Sequence, residues 1–271
     1  MLAAMPGTRR RPTTGARPPA AVGVLAALGV AFVGLPLVAL AQRAPWGDLP
    51  DRLTDPIVTD ALRISLVSAS VATVGCLVVG VPLAWVLARA TLPGRSLIRA
   101  LVVLPMVLPP VVGGASLLFA FGRRGLLGEP VYDGTGFLLP YSIWGVIVAN
   151  AFVGLPFLVV TVEAGFRAAD PRFEPASATL GAGRWLMFRA VTLPQVMPSV
   201  VAGAVLCWAR ALGEFGATVT FAGNLAGRTQ SMPLAVFLAL ETDRDAAVAL
   251  SLVLIAVSLA VLVPLRDRWL R

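Results

Sequence analysis

The sequence predicts an all-α integral membrane protein of about six transmembrane helices, since about 20 mostly apolar helical residues cross a hydrocarbon core. Three observations carry that expectation. Of the 271 residues, 58% are hydrophobic and only 13% charged, against roughly 25% charged in an ordinary soluble domain. The apolar residues are gathered into long runs near 20–41, 61–88, 98–121, 141–163, 196–222 and 246–265. Short arginine clusters separate the runs. Backbone groups in lipid must be paired within their own segment, so each run is expected to be a helix.

Taken in order, residues 1–19, rich in arginine, proline and threonine, read as a disordered cytoplasmic tail ahead of a membrane domain over 20–271. Arginines followed by an apolar run ending Ala39-Leu40-Ala41 also fit a cleaved signal peptide, although the run exceeds the usual length of about 7–15 residues. Prolines recur inside the spans at Pro36, Pro82, Pro105, Pro109, Pro110, Pro156 and Pro198. Each removes a backbone donor and tends to kink its helix. Leu104-Pro105-Met106-Val107-Leu108-Pro109-Pro110, followed by Gly113-Gly114, is therefore expected to be bent or broken. A static packing kink and a bend lining a pathway both fit. The fifth run is the least simple span, because it carries Arg210 and Glu214.

Basic residues are retained on the cytoplasmic side of a membrane. With the amino terminus inside, Arg9, Arg10, Arg11, Arg17, Arg89, Arg95, Arg99, Arg167, Arg172, Arg184, Arg189, Arg266, Arg268 and Arg271 fall in the cytoplasm. The other side receives only Arg43, Arg52, Arg63, Arg123, Arg124, Arg228 and Arg244. Both termini and the 164–195 connection are thus expected to be cytoplasmic.

The formal charge of +8 would suit lipid headgroups, nucleic acid or an anionic substrate, but the arginines form no single stripe that would track a nucleic acid. Cys76 and Cys207 sit in apolar runs without metal or redox spacing and read as buried thiols. The lack of histidine and of clustered acids argues against a transition-metal site. No internal repeat of the kind found in many secondary transporters is visible.

The long connection after the fourth run begins Asp170-Pro171-Arg172-Phe173-Glu174-Pro175-Ala176-Ser177. Asp170 with Pro171 reads as an N-cap and first helical position; a start at Pro175 also fits. Gly181 and Gly183 bracket a turn. Trp185, Phe188 and Val191, three apart, make one apolar face on a second short helix from Arg184. Such a unit suits either a partner's groove or the lipid surface.

This stretch resembles the cytoplasmic EAA loop of ABC-transporter permeases: Glu-Ala-Ala, three residues, Gly, nine residues, an aliphatic residue, one more, then Leu-Pro. Gly181, Val191 and Leu193-Pro194 keep the spacing, with Ala176 at one alanine position. Pro175 stands at the motif's glutamate and Ser177 at its second alanine, with Glu174 as the neighbouring acid. The resemblance implies a loop that docks on a separate ATPase subunit through Glu174, Ala176, Ser177, Leu180, Gly181, Ala182, Gly183, Leu193 and Pro194. The chain has no G-x-x-x-x-G-K-[ST] to cradle ATP phosphates itself.

In the fifth run, Arg210 and Glu214 are spaced to pair on one helix face. Charges inside a membrane are costly, so the pair is either a self-satisfied structural contact or part of a pathway or gate. Gly213 and Gly216 would allow a bend or a close helix approach. Gly213-Glu214-Phe215-Gly216-Ala217-Thr218 resembles the matching region of molybdate permeases and, more loosely, of sulfate permeases. The resemblance extends through Leu92-Pro93-Gly94-Arg95 and Thr229-Gln230-Ser231-Met232-Pro233-Leu234, covering most of 60–266. It implies a pathway or gate at Arg210, Gly213, Glu214, Phe215, Gly216 and Thr218.

The resemblance further implies a type I ABC importer permease fold in a multi-pass plasma-membrane protein that is not itself an enzyme. Its implied partners are two ATPase subunits that bind ATP and Mg, a second permease chain in a homodimer whose first spans wrap each other's chain, and an extracytoplasmic oxyanion-binding protein. No cofactor is expected on this chain. Molybdate, or tungstate, is the expected cargo, with sulfate or another oxyanion as runner-up. An intramembrane enzyme would need a convergent catalytic set that the residues do not supply, and a passive channel would have no use for an ATPase.

Overall fold

A computed structural model describes residues 19–269, so nearly all of the expected 1–19 tail lies outside the described residues. Among them every regular element is a helix. Helix α1 (Ala20–Gln42) forms a unit of its own. It is apolar on all sides with no buried residue, the surface of a helix surrounded by lipid or other helices.

The second unit begins at Ala44. Its elements are α2 (Leu49–Leu53), α3 (Pro56–Arg89), α4 (Arg95–Val107), α5 (Pro110–Phe121), α6 (Gly128–Thr135) and α7 (Ile143–Ala168). They are followed by α8 (Phe173–Thr179), α9 (Arg184–Met187), a π-helical turn (Phe188–Thr192), α10 (Leu193–Leu212), α11 (Gly216–Phe221), α12 (Met232–Thr242) and α13 (Arg244–Trp269). Among the described residues five helical stretches are long and apolar enough to cross a bilayer, and the bent pair α4–α5 brings the number to 6. The long helices start where the sequence supplies caps: Asp55 accepts from the Ile57 amide at 2.8 Å, and Ser142 from the Gly145 amide at 3.3 Å.

The core is a three-helix packing of α3, α7 and α10. Parallel neighbours α3 and α7 are joined near one end by Asn150 Nδ2 donating to Ser68 Oγ at 3.0 Å. At the other end Arg89 donates to the Ala169 carbonyl at 3.5 Å. Helix α10 returns antiparallel, so that Leu87, Leu158, Val162, Phe166, Val196 and Cys207 share one buried cluster. Both cysteines are buried free thiols, as expected. The α7–α10 approach is close: a Cβ at Gly154 would stand 2.8 Å from Cys207 Sγ.

Two spans are interrupted, one as expected and one not. The third breaks as the proline run predicts: α4 and α5 meet at an angle of 119°. Pro36, Pro82, Pro105, Pro156 and Pro198 stay inside continuous helices, and only the tandem Pro109-Pro110 stops one. A residue before proline is driven from helical to extended backbone; Leu108 and Pro109 accordingly have ψ of 138° and 133°. The fifth span, expected over 196–222, is interrupted between α10 and α11. The short helices α2, α6 and α12 lack the length to cross a hydrocarbon core. Helix α12 is fixed by the Met232 amide donating to Ser65 Oγ at 2.7 Å.

The close α7–α10 approach generates a stability expectation. Gly154→Ala should destabilise the purified protein by about 1–3 kcal/mol through overpacking, while Gly75→Ala, with nothing within 4 Å of the new methyl, should be neutral or stabilising. Adding Cys207→Ala to Gly154→Ala should recover part of the loss in thermal denaturation. Strict additivity of the two would place the strain elsewhere.

Candidate functional site

The two interrupted spans meet at their breaks. A Cβ on Gly216, at the start of α11, would lie 2.6 Å from Pro110 Cβ at the start of α5. Only glycine permits that approach. Beyond it α5 and α11 run side by side, and Leu117, Ala149, Val153, Ala217 and Phe221 seal them against α7.

Glu214 lies in the break between α10 and α11 and is 1% exposed. Its Oε2 stands 2.6 Å from Arg210 Nη2, so the expected pair forms. It does not lie on one helix face, however: α10 ends at Leu212, and Glu214 has left the helix that carries Arg210. Its Oε1 instead accepts from the Ala217 amide at 2.8 Å, one of the orphan donors at the start of α11. One carboxylate therefore neutralises the arginine and caps the next helix.

Arg210, Gly213, Glu214, Phe215 and Gly216 line a common cavity of about 260 Å³ together with Pro110 and Val111. Thr218 does not line it; it is buried on α11. Phe215 leads away towards α12, its ring centred 5.1 Å from that of Phe237. A pair of opposite charges and a glycine-flanked break in the backbone thus meet at the junction of two broken helices.

In the 164–195 connection, Asp170 Oδ1 accepts from the Arg172 amide at 2.9 Å, yet α8 begins at Phe173, between the two boundaries expected. Pro175 is then the third residue of the helix, where an amide has no intrahelical acceptor to lose. The Arg172 guanidinium, followed by the Arg172 amide, holds the Asp170 carboxyl below its ordinary range. A lowered carboxylate pKa adds stability above the unfolded value that is lost as pH falls through the folded one, so this turn loosens only in acid.

Gly181 makes the turn with φ of +85°, the left-handed region that other residues enter at a cost. The Gly181 amide donates to Ala178 O at 3.0 Å and that of Ala182 to Ser177 O at 3.1 Å; Gly183 is extended and precedes α9. Glu174, the neighbouring acid, reaches inward: its Oε1 is 3.4 Å from Arg89 Nη2 and accepts from Thr192 Oγ1 at 3.2 Å. Ala176 is exposed and Ser177 half-buried. Leu180, Trp185, Leu186 and Phe173 are exposed apolar side chains on the loop. Trp185 and Phe188 of the expected apolar face stack on each other at 5.9 Å, and Phe188 also reaches inward to Phe166 at 6.4 Å. The π turn leads into Leu193-Pro194; widening the helix there moves a carbonyl away from the Pro194 ring.

A second charge cluster lies at the same end. Buried Glu163 of α7 is paired with Arg99 of α4, and with Arg167 at 2.7 Å. The sequence reading counted both arginines as topology signals. The Glu163–Arg167 spacing of four was legible; the Arg99 contact, across two helices, was not. Among the described residues no group of three or more metal-ligating side chains is placed to hold an ion.

Interrupted membrane helices meeting at a charge pair with a buried carboxylate suit a protein that moves a solute, since irregular backbone within a membrane is tolerated only where protein or a cavity covers it. The class defined is a polytopic membrane transport subunit. The model of the family described as binding-protein-dependent transport system inner membrane component matches residues 80–271, and the chain belongs to that family. It is 47% identical over 232 residues to the molybdenum transport system permease protein ModB of Mycobacterium tuberculosis, covering 85% of this chain and 87% of that one. It is 40% identical over 234 residues to the sulfate transport system permease protein CysT of Escherichia coli, covering 84% of this chain and 83% of that one. A chain of the bacterial alginate ABC transporter in complex with alginate pentasaccharide-bound periplasmic protein superposes with a TM-score of 0.72 at 15% identity, covering 91% of each chain. That likeness concerns the fold.

The double duty of Glu214 orders three proteins in thermal stability. Glu214→Gln keeps an oxygen for the Ala217 amide but loses the charge facing Arg210; Glu214→Ala loses both. Wild type should exceed Gln, and Gln should exceed Ala, with the Ala loss near ~3–5 kcal/mol for breaking a buried pair. Equal melting of the two variants would remove the capping role.

Proposed function

We propose that this chain is the membrane-spanning permease subunit of an ATP-driven importer, carrying molybdate or tungstate into the cytoplasm. The observation that carries the substrate is the identity to a molybdenum permease across most of both chains. The somewhat lower identity to a sulfate permease makes sulfate, another tetrahedral dianion, the second reading. The Arg210–Glu214 junction with Pro110 suits a gate, with Gly213, Phe215 and Gly216 lining it and Thr218 packing behind.

In this reading ATP and Mg are bound by a separate ATPase subunit in two copies, and an external oxyanion-binding protein delivers the cargo. A second, identical permease chain completes the pathway, and α1, with no buried residue of its own, wraps that partner. The exposed Phe173, Leu180, Trp185 and Leu186 fit a docking face for the ATPase. Glu174, Ala176, Ser177, Gly181, Ala182, Gly183, Leu193 and Pro194 shape and brace the loop. Its movement reaches α3 through Glu174–Arg89 and α10 through the π turn.

Two measurements test this. Cells expressing the chain with its partners should take up labelled molybdate, tungstate should compete, and sulfate should compete weakly; Gly181→Asp should abolish uptake and weaken co-purification of the ATPase while the protein stays in the membrane. An Asp residue at that positive φ is strained, and its carboxylate would be desolvated at the docking face. Wild-type uptake by the variant would remove the loop's coupling role.

The arginine bias supports a reading with both termini and this loop in the cytoplasm. A membrane-impermeant thiol reagent added to intact cells should therefore label Asp51→Cys but not Thr179→Cys; the reverse pattern would invert the topology.

A further inference from the structure

At the opposite end from the coupling loop, the starts of α3 and α7 and the segment before α12 enclose a cavity of about 360 Å³. Arg63 of α3 and Arg228 of the segment both line it. Among the described residues neither guanidinium has a carboxylate partner. Arg52, at the same end, is different: it is spoken for by Asp243 at 3.0 Å. Asp60 also lines the cavity, leaving a positive balance. Helix α7 begins at its rim with Ser142 and Ile143, and the start of a long helix adds partial positive charge.

We propose that this cavity is a binding site for a tetrahedral oxyanion, gripped by Arg63 and Arg228, where the anion rests before it reaches the Arg210–Glu214 break. The proposal rests on the oxyanion-import reading and places the cavity on the extracytoplasmic side. Guanidinium is the fitting chemistry: it is planar, stays charged at every physiological pH, and presents paired N–H groups to two oxygens of one anion. Asp60 limits the net attraction, so a captured anion can leave. Both arginines are exposed, so the grip is screened by salt.

The test is equilibrium binding of labelled molybdate to the full chain in lipid nanodiscs, with no binding protein present. Binding should be saturable and should weaken as ionic strength rises. Each of Arg63→Gln and Arg228→Gln should lower affinity about tenfold, whereas Arg124→Gln, also exposed but outside the cavity, should change nothing. Both target residues are at the surface, and unchanged melting temperatures would exclude a folding cause. Absence of saturable binding, or wild-type binding by the double variant, overturns the proposal. The two readings fail separately. Cells that import molybdate while the nanodisc protein binds no anion would keep the importer and remove the site. Binding of sulfate but not molybdate would keep the site and change the cargo.

Discussion

Inside a bilayer no water is present to satisfy a freed backbone amide or carbonyl, and each unsatisfied group costs several kcal/mol, on the order of a whole hydrogen bond. The arrangement around residues 108–110 and 213–216 follows from that constraint. Two broken helices would each expose orphan groups to lipid if they stood apart. Placed break against break, with Gly216 on Pro110 and α7 behind them, they cover one another. The tandem proline supplies one interruption by driving Leu108 and Pro109 to extended backbone. Glycine followed by glutamate supplies the other, and the glutamate returns an acceptor to α11. The charge pair is thus part of what makes the interruption tolerable.

How legible this was depended on whether a feature is local. The long helices follow from length and hydropathy, and the break at Leu108 from a tandem proline. The Gly181 turn could be read from glycine's freedom at positive φ, which the observed +85° uses. Arg210 and Glu214 were read correctly as partners but wrongly as residents of one helix, because spacing of four describes a pair only where the helix is continuous. The contact between Pro110 and Gly216, the Arg99–Glu163 link and the Arg89–Glu174 link join residues far apart in sequence. No periodicity encodes these. Helix α12 was missed because an 11-residue apolar segment falls below what crosses a membrane and gains its place only by packing on α3 and α13.

The ionic contacts near the 164–195 loop divide into two ties. Arg89–Glu174 fastens the loop to the end of α3. Arg99–Glu163–Arg167 fastens α4 to α7. Buried Glu163 could not stand alone, since removing one member of a buried pair leaves an uncompensated charge. Two arginines on separate helices hold it instead. Helix α4 leads directly to the break at Leu108, so this cluster ties α7 to one side of the junction. The π turn joins the loop to α10 and hence to the other side. Both connections lead to the same pair of breaks.

On the proposed reading, the distribution of unpaired positive charge separates capture from passage. A permeating dianion must be attracted strongly enough to enter and held weakly enough to leave. A bare arginine at a buried junction would be a trap, because attraction grows as water is excluded. Glu214, 2.6 Å from Arg210, cancels that charge at the junction. At the other cavity Arg63 and Arg228 are free of carboxylate partners among the described residues but exposed, where solvent and salt moderate their pull. On the proposed reading, the anion meets uncompensated charge where water keeps binding reversible and compensated charge where water is scarce. That ordering gives net attraction at the mouth without a stopping point at the gate, and it makes Glu214 as necessary to release as Arg63 and Arg228 are to capture.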